Sequence, residues 1–262
     1  MDIATIIGLV GALAAVLVGA LLEGLHMSSL IGPTAFMIVV GGTVGATVMS
    51  HTMSDLKHLG GALKRTIKPQ KLDYAGSINH LTNLAEKARR GGILALQEDV
   101  ATAPHPILQT GLTMVVDGGD PDVVKEVLSS MVKMNEDELH HAAAVCDTAG
   151  GYCPTLGIMG TVLGLIHIMG NLDQPDTLGP AIAVAFLATF YGLAFANMMF
   201  LPLGSKIKLA AHQETLFGQM LIDGILGIQT GQNPRALKER LSVYMGSHGS
   251  KPKKESKGEK PA

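Results

Sequence analysis

Apolar residues run without interruption through four stretches of this chain, and between them the pattern turns amphipathic. Residues 3–22 read IATIIGLVGALAAVLVGALL, about as long as the ~20 residues that cross a hydrocarbon core at ~1.5 Å per residue. No basic stretch precedes this run and it exceeds a signal-peptide core of roughly 7–15 residues, so a first membrane span is expected there. A second span runs from about Leu30 to Met49, with Pro33 in its first turn, where a missing N–H costs little. The organising element is a hairpin over residues 154–203. GYCPTLGIMGTVLGLIHIMG is followed by the turn NLDQPDTLGP and then by AIAVAFLATFYGLAFANMMFLP.

Small residues recur at helical spacing in each run. Gly8, Ala12, Ala15 and Gly19 stack in the first, and Gly41, Gly42, Gly45 and Ala46 in the second. In the hairpin, Gly157, Gly160, Thr161 and Gly164 oppose Ala185, Ala188, Thr189, Gly192 and Ala196. Smooth faces of this kind let helix backbones approach closely. Two of them, each carrying one hydroxyl, predict a shared seam.

Residues 51–150 read instead as a helical, soluble insert. A first helix is expected over about Leu72–Arg90, with Ala75, Ile78, Leu81, Ala85 and Ala88 on one face, ending at Gly91-Gly92. A short helix or turn carries Ile93–Val100, and Pro104 and Pro106 break the chain before Ile107–Val116. Asp120 as N-cap and Pro121 at the first helical position then start a long helix to about Asp147 that feeds directly into the third span. Beyond the hairpin, amphipathic helices are expected over Lys206–Ile228 and, after Asn233-Pro234, over Arg235–Met245. The lysine-rich tail lacks apolar periodicity and is expected to be disordered.

The reading is therefore an all-α integral membrane protein. Four transmembrane helices occupy 1–50 and 151–204, a large helical cytoplasmic insert 51–150 lies between the second and third, and helical cytoplasmic residues 205–245 precede the tail 246–262. A mean hydropathy of +0.31 and only 16% charged residues agree with it and exclude an ordinary soluble domain. All 20 Lys and Arg fall within 51–150 or after Leu203, and none in the 23–30 and 171–180 connections. Basic residues stay cytoplasmic during insertion, so both termini and the insert are expected inside, with two short loops outside.

Charge also limits the chemistry. A carrier coupled to an ion usually places a carboxylate, Lys or His at membrane depth. Here the four runs hold only His167, read as a neutral or wetted group near the outer end. If the protein handles ions, a carboxylate must come from another chain. Thr161 and Thr189 either bond their own i−4 carbonyls or supply hard oxygens along an ion path. Pro154 and Pro202 are either a helix-entry proline and a helix stop or pivots. Glu86, Lys87, Arg89, Arg90, Glu98 and Asp99 cluster around Gly91-Gly92 as a solvated surface or a docking patch. Cys146 and Cys153 have neither the number nor the spacing for a metal site, and no role is assigned to them. No cofactor, nucleic-acid partner or enzymatic motif is expected. A secondary transporter is disfavoured by the lack of a repeat between the halves.

PTLGIMGTVLGLI, GPAIAVAFLATFYGLAFANMMFLP, the earlier IGPTAFMIVVGGTVGATVM, the segment ARRGGILALQED and the late GQNPR, separate motifs in the right order along the chain, together resemble the MotA/PomA motility proteins, the A subunits of the flagellar stator. The resemblance covers the chain from the first span to Pro234. It implies a pentamer of A chains around a dimer of MotB/PomB-like B subunits in the bacterial inner membrane. The B chain supplies the ion-binding Asp and anchors to peptidoglycan, and ion flow drives torque on the rotor protein FliG. Carried over residue by residue, Thr161 and Thr189 fall on the ion path and Pro154 and Pro202 on the two important prolines. Gly157, Gly160, Gly164 and Gly192 remain helix-packing positions by their spacing. Arg89 and Arg90 match the basic rotor-facing pair. The family's acidic partner aligns with Gln97, and Glu98, the next residue, is the candidate replacement. Thr161 favours sodium over the proton, because sodium-type members tend to carry Thr there. The alternative is an ExbB/TolQ-like proton-driven energiser of an outer-membrane process, which has three spans.

Overall fold

The computed structural model describes residues 3–67, 72–173 and 175–246, and among these every regular element is helical. The expected tail lies outside the described residues except for Gly246. Four helical segments are long and apolar enough to cross a membrane. The chain divides into two compact units, Met1–Gln70 with Asp137–Ala211 and Lys71–Glu136 with His212–Ala262.

In the first unit, the helix Ile3–Leu22 coincides with the expected first span. The second starts with Pro33 in its first turn, runs Pro33–Phe36, widens to a π-type turn over Met37–Gly41 and continues over Gly42–Ser50. Adjacent glycines, the weakest helix formers after proline, sit where the wide turn ends.

A helix not expected from the sequence follows at Met53–Ile67. Gly60-Gly61 at its centre weakens the local propensity, but its start is well fixed. The backbone N–H of Thr52 donates to Asp55 Oδ2 at 3.0 Å, its hydroxyl to the same oxygen at 2.7 Å, and the Asp55 N–H returns a bond to Thr52 Oγ1 at 3.3 Å. These bonds hold the Asp55 carboxyl below its ordinary pKa. Thr-x-x-Asp is a capping box, the sequence signal that marks this helix. Its Ala62 packs with Leu139, Ala142, Ala143, Ile207 and Ala211. Two histidine–carboxylate contacts, His58–Glu138 at 3.3 Å and His141–Asp55 at 3.7 Å, accompany that packing.

The third span is the end of one 49-residue helix, Pro121–Met169. The fourth begins at Pro175–Phe195, passes through a second π-type turn, Ala196–Phe200, and continues as Leu201–Gln229. Two expectations are corrected here. Pro154 does not open a helix but lies inside one, and Pro202, second residue of its segment, does not stop one. A proline withdraws the bond to its i−4 carbonyl and crowds it. Immediately before Pro202 the wide turn inserts one residue into the ladder, which relieves that conflict while the helix goes on.

The second unit has its own core, in which Leu81, Leu108, Leu112, Leu128 and Ile225 are fully buried. Each such side chain contributes about 1.5–3 kcal/mol by leaving water. Its helices are Tyr74–Gly91, Gln97–Thr102, Pro106–Val116 and Pro234–Gly246, together with parts of the two long helices. Asp73 caps the first by accepting from Gly76 N at 2.8 Å. Gly92, at φ +79, ends it in the left-handed region that only glycine enters freely.

Candidate functional site

The seam expected between the third and fourth spans is present, and it is closer than packing of side chains would allow. A Cβ added to Gly157 would lie 2.9 Å from the Ala188 carbonyl oxygen and 3.3 Å from Gly192 Cα. One added to Gly192 would lie 2.7 Å from the Cys153 carbonyl oxygen and 3.2 Å from Pro154 Cα. At this level backbone rests on backbone. One and two turns further along the third span, Gly160 faces the Ala188 methyl and Gly164 faces Ala185. The sequence spacing thus identified the contacting face, and Pro154 belongs to it through its main chain.

Thr161 and Thr189 meet within the seam, their hydroxyl oxygens 2.5 Å apart. Thr161 also reaches its own i−4 carbonyl, Gly157 O, at 3.2 Å, and crosses to Ala185 O at 3.0 Å. Thr189 reaches Gly157 O at 3.5 Å. Ala185 O is the i−4 carbonyl of Thr189, so the two hydroxyls serve each other's helices. The expectation that each simply bonds its own helix holds for Thr161 alone among the recorded bonds. Two hydroxyl protons are shared among two carbonyls and a hydroxyl–hydroxyl contact, which leaves oxygen lone pairs clustered in one place.

The sequence reading missed the anchor beside this seam. Tyr191 Oη donates to Leu30 O at 2.5 Å and accepts from Gly32 N at 3.0 Å. It thereby fastens the start of the second span to the fourth. Phe36 packs edge-on against Tyr191 and Phe195, with ring centres 6.2 and 5.9 Å away. A phenol inside an apolar run was the available signal, since a buried Tyr hydroxyl requires a partner. Pro202 lies elsewhere, lining an apolar groove of about 520 Å³ with Thr5, Gly8, Leu9 and Ala12 of the first helix.

In the second unit the charged cluster is partly paired internally. Lys87 Nζ bonds Asp99 Oδ2 at 2.7 Å, and that bond raises the Lys87 pKa above its ordinary value. Arg90 lies 3.9 Å from Glu86. Arg89 and Glu98 are both exposed. The acid bound within the unit is therefore Asp99, while Glu98 and Gln97 both face solvent. A shallow pocket of about 440 Å³ is lined by Asn83, Glu86, Lys87, Arg90, Gly91 and Ala95. No cluster of three or more His, Cys, Asp or Glu able to hold a metal occurs among the described residues. Cys146 and Cys153 are buried free thiols.

Comparison with known proteins bears on both regions. Residues 6–92 match the profile described as motility protein A N-terminal, and residues 99–220 that of the MotA/TolQ/ExbB proton channel family. The chemotaxis protein PomA of Vibrio alginolyticus is 35% identical over 250 residues, covering 94% of this chain and 96% of that protein. Motility protein A of Bacillus subtilis is 32% identical over 246 residues, covering 94% and 91%. Among solved structures, C. jejuni MotAB superposes with a TM-score of 0.91 at 30% identity, covering 95% of this chain and 98% of that one. The flagellar MotAB stator complex of Bacillus subtilis gives 0.86 at 32% identity, covering 92% and 94%.

Proposed function

The chain belongs to the MotA/TolQ/ExbB proton channel family, on its motility protein A branch, and from that premise we propose how its residues couple ion passage to torque. It is a flagellar stator membrane subunit and not an enzyme. It assembles with a MotB/PomB-like B subunit in the bacterial inner membrane, as five A chains around two B chains, both termini and the polar helices facing the cytoplasm. The asymmetry of Lys and Arg along the chain supports that orientation.

The observation that carries the mechanism is the paired hydroxyls of Thr161 and Thr189 in a seam that lacks any carboxylate. The seam offers neutral oxygens without a fixed charge, so the titrating or charge-balancing acid comes from the B subunit. A cation passing between the B helix and this seam loses part of its water and regains oxygen contacts from the threonines. Sodium benefits from such contacts, whereas a proton needs no coordination shell, so sodium is the favoured ion. Pro154 and Pro202 are the pivots, each set within a continuous helix whose ladder lacks one bond. Arg89 and Arg90, exposed with Glu98 beside Gly92, form the face that contacts the rotor protein FliG.

The test is to express the chain with its cognate B subunit in a motile host lacking stators and to record swimming speed against sodium at fixed pH and ionic strength. Speed should rise with sodium, and Thr161→Ala should raise the sodium concentration needed for half-maximal speed. Speed that ignores sodium but collapses with a protonophore would make the ion a proton. An unchanged sodium response in Thr161→Ala would remove the threonine from the path.

A further inference from the structure

The groove that Pro202 lines beside the first helix, about 520 Å³ in volume, has no part in the ion path. One wall is the first helix at Thr5, Gly8, Leu9 and Ala12, and the other is drawn from residues 197–209. Among its described residues the first helix has none that is buried, and it meets the fourth span at the wide turn Ala196–Phe200. A Cβ added at Gly8 would meet nothing within 4 Å, so the floor of the groove is open space.

The body of the groove is apolar and one end is not. Leu9, Ala12, Met198, Met199 and Leu203 build the body, and the Asn197 amide there donates back to its own helix, to Leu193 O at 2.9 Å. The first and fourth spans cross in opposite directions, so Ala12 lies level with the Asn197 end and Thr5 with the Lys206 end. That second end carries Thr5, Ser205 and the half-buried Lys206. Among the described residues of the lining Lys206 is the one charged group. Lys208, two residues on, is directed instead to Asp147 at 2.6 Å. From Asn197 to Lys206 the helix advances ~13 Å at ~1.5 Å per residue, close to the ~15 Å depth of one leaflet of a hydrocarbon core ~30 Å thick.

We infer that this groove binds an anionic phospholipid of the cytoplasmic leaflet, with one acyl chain against Gly8, Ala12 and Met198 and the phosphate on Lys206. The inference rests on the orientation proposed above, which puts Lys206 at the cytoplasmic surface. An amphiphile with a negative end matches the groove in both length and charge. A second copy of this chain matches it less well, because its four apolar runs hold no Asp or Glu to meet Lys206. A zwitterionic lipid brings its own ammonium, which offsets the attraction of its phosphate. One lysine beside an anionic lipid surface is worth about fivefold in binding, which sets the preference expected for a net negative head group. A lipid so placed fills the space between the first helix and the wide turn, and ties a span without buried residues to the rest of its unit.

The experiment uses the full chain with its cognate B subunit in nanodiscs that contain a trace of phosphatidylglycerol or phosphatidylethanolamine carrying a diazirine on the acyl chain. After irradiation the labelled residues are identified by mass spectrometry. Gly8, Ala12, Met198 and Leu203 should be labelled more than Ile7 and Val10, which are exposed on the opposite face of the first helix at the same depth. Phosphatidylglycerol should label the groove about fivefold more than phosphatidylethanolamine. Lys206→Gln should bring the two lipids level, and Gly8→Phe, which fills the open floor, should lower groove labelling by both while sparing Val10. Equal labelling of the two faces in wild type would overturn the inference even if a variant failed to assemble, and so would an undiminished preference for phosphatidylglycerol in Lys206→Gln. A groove left unlabelled because a second copy covers it, seen as a crosslink between two copies from a photoreactive residue introduced at Leu9, would overturn it as well. The orientation is read separately. Ser205→Cys should react with a membrane-impermeant maleimide in inverted vesicles and not in spheroplasts, against the low background of the buried Cys146 and Cys153. Reaction in spheroplasts would count against the orientation, whereas an unlabelled groove in a correctly oriented chain would count against the lipid site.

Discussion

The seam of the first unit is read from the spacing of small residues and the charged surface of the second from a cluster of acids and bases, and the two are built on opposite principles. At Gly157 and Gly192 the backbones touch, and a single added carbon would meet main-chain atoms at 2.9 and 2.7 Å. Arg89, Arg90 and Glu98 are exposed, and Arg90 lies 3.9 Å from Glu86, a loose pair beside the tight one of Lys87 with Asp99. The first arrangement depends on shape and fails abruptly, whereas the second depends on a field and degrades gradually. The ion path proposed for the seam would draw on the former, since it needs oxygens held at fixed places. A surface that meets and leaves a moving partner is served by the latter, because screened, exposed charges attract without locking.

The sharpest way to break this contrast is to add bulk to the seam. Gly157→Leu or Gly192→Leu should part the two helices, cost about 1–3 kcal/mol of stability and abolish motility, as read from thermal unfolding of the purified complex and from swimming. A motile Gly192→Leu strain with normal stability would mean the seam is not tight in the working complex. Next come the hydroxyls. Thr161→Val and Thr189→Val should each cost about 0.5–1.5 kcal/mol, with a coupling near 0.6 kcal/mol in the double variant, because removing either partner already breaks the shared contact. Strict additivity would show that the two oxygens act separately.

A smaller effect sharpens the comparison from the other side. Burial pushes the His105 imidazole below its ordinary pKa, with Glu214 acting in the opposite direction. Its Nδ1 accepts from Ile107 N at 3.3 Å and its ring stacks edge-on against Phe217, 5.6 Å away, so the folded unit prefers the neutral form. The folded pKa lies below the unfolded one, and stability is therefore complete above about pH 6.5 and lost as pH falls toward the folded value. Protection factors for hydrogen exchange at Ile107 and Leu108 in the full chain, corrected for the intrinsic pH dependence of exchange, should fall on acidification over that window, and His105→Asn, which keeps an N-cap acceptor, should flatten the dependence. The smallest changes belong to the exposed charges. Arg89→Ala and Glu98→Gln should shift stability by no more than about 0.5 kcal/mol while still lowering swimming speed. A large loss of stability in either would mean these side chains are structural.

What the sequence disclosed and what it hid divide along the same physical line. The spans, the seam glycines and the long helix beginning at Pro121 were legible because uninterrupted apolar character and small-residue spacing are local signals. The Met53–Ile67 helix was missed although Thr52 and Asp55 spell its capping box, because Gly60-Gly61 argue against it and the packing of Ala62 with distant residues exists only after folding. Pro154 and Pro202 misled for a related reason. Proline predicts a helix boundary from local sterics, but tertiary contacts on either side hold these helices through it. That the acid paired within the second unit is Asp99 rather than Glu98 follows from side-chain direction, since neighbours on a helix point about 100° apart.

The wide turns at Met37–Gly41 and Ala196–Phe200 have a consequence for anyone who maps these helices by substitution. A π-type turn adds one residue without adding a full step of rotation, so the faces before and after it are out of phase by roughly 100°. A cysteine or tryptophan scan of the fourth span, plotted on a single helical wheel, would show its periodic signal fade near Ala196 and return rotated by about one residue. Read on one wheel, that result would look like a helix exposed on every side. Read on two wheels, joined at the turn, it becomes a direct assay of whether the inserted residue persists in the membrane.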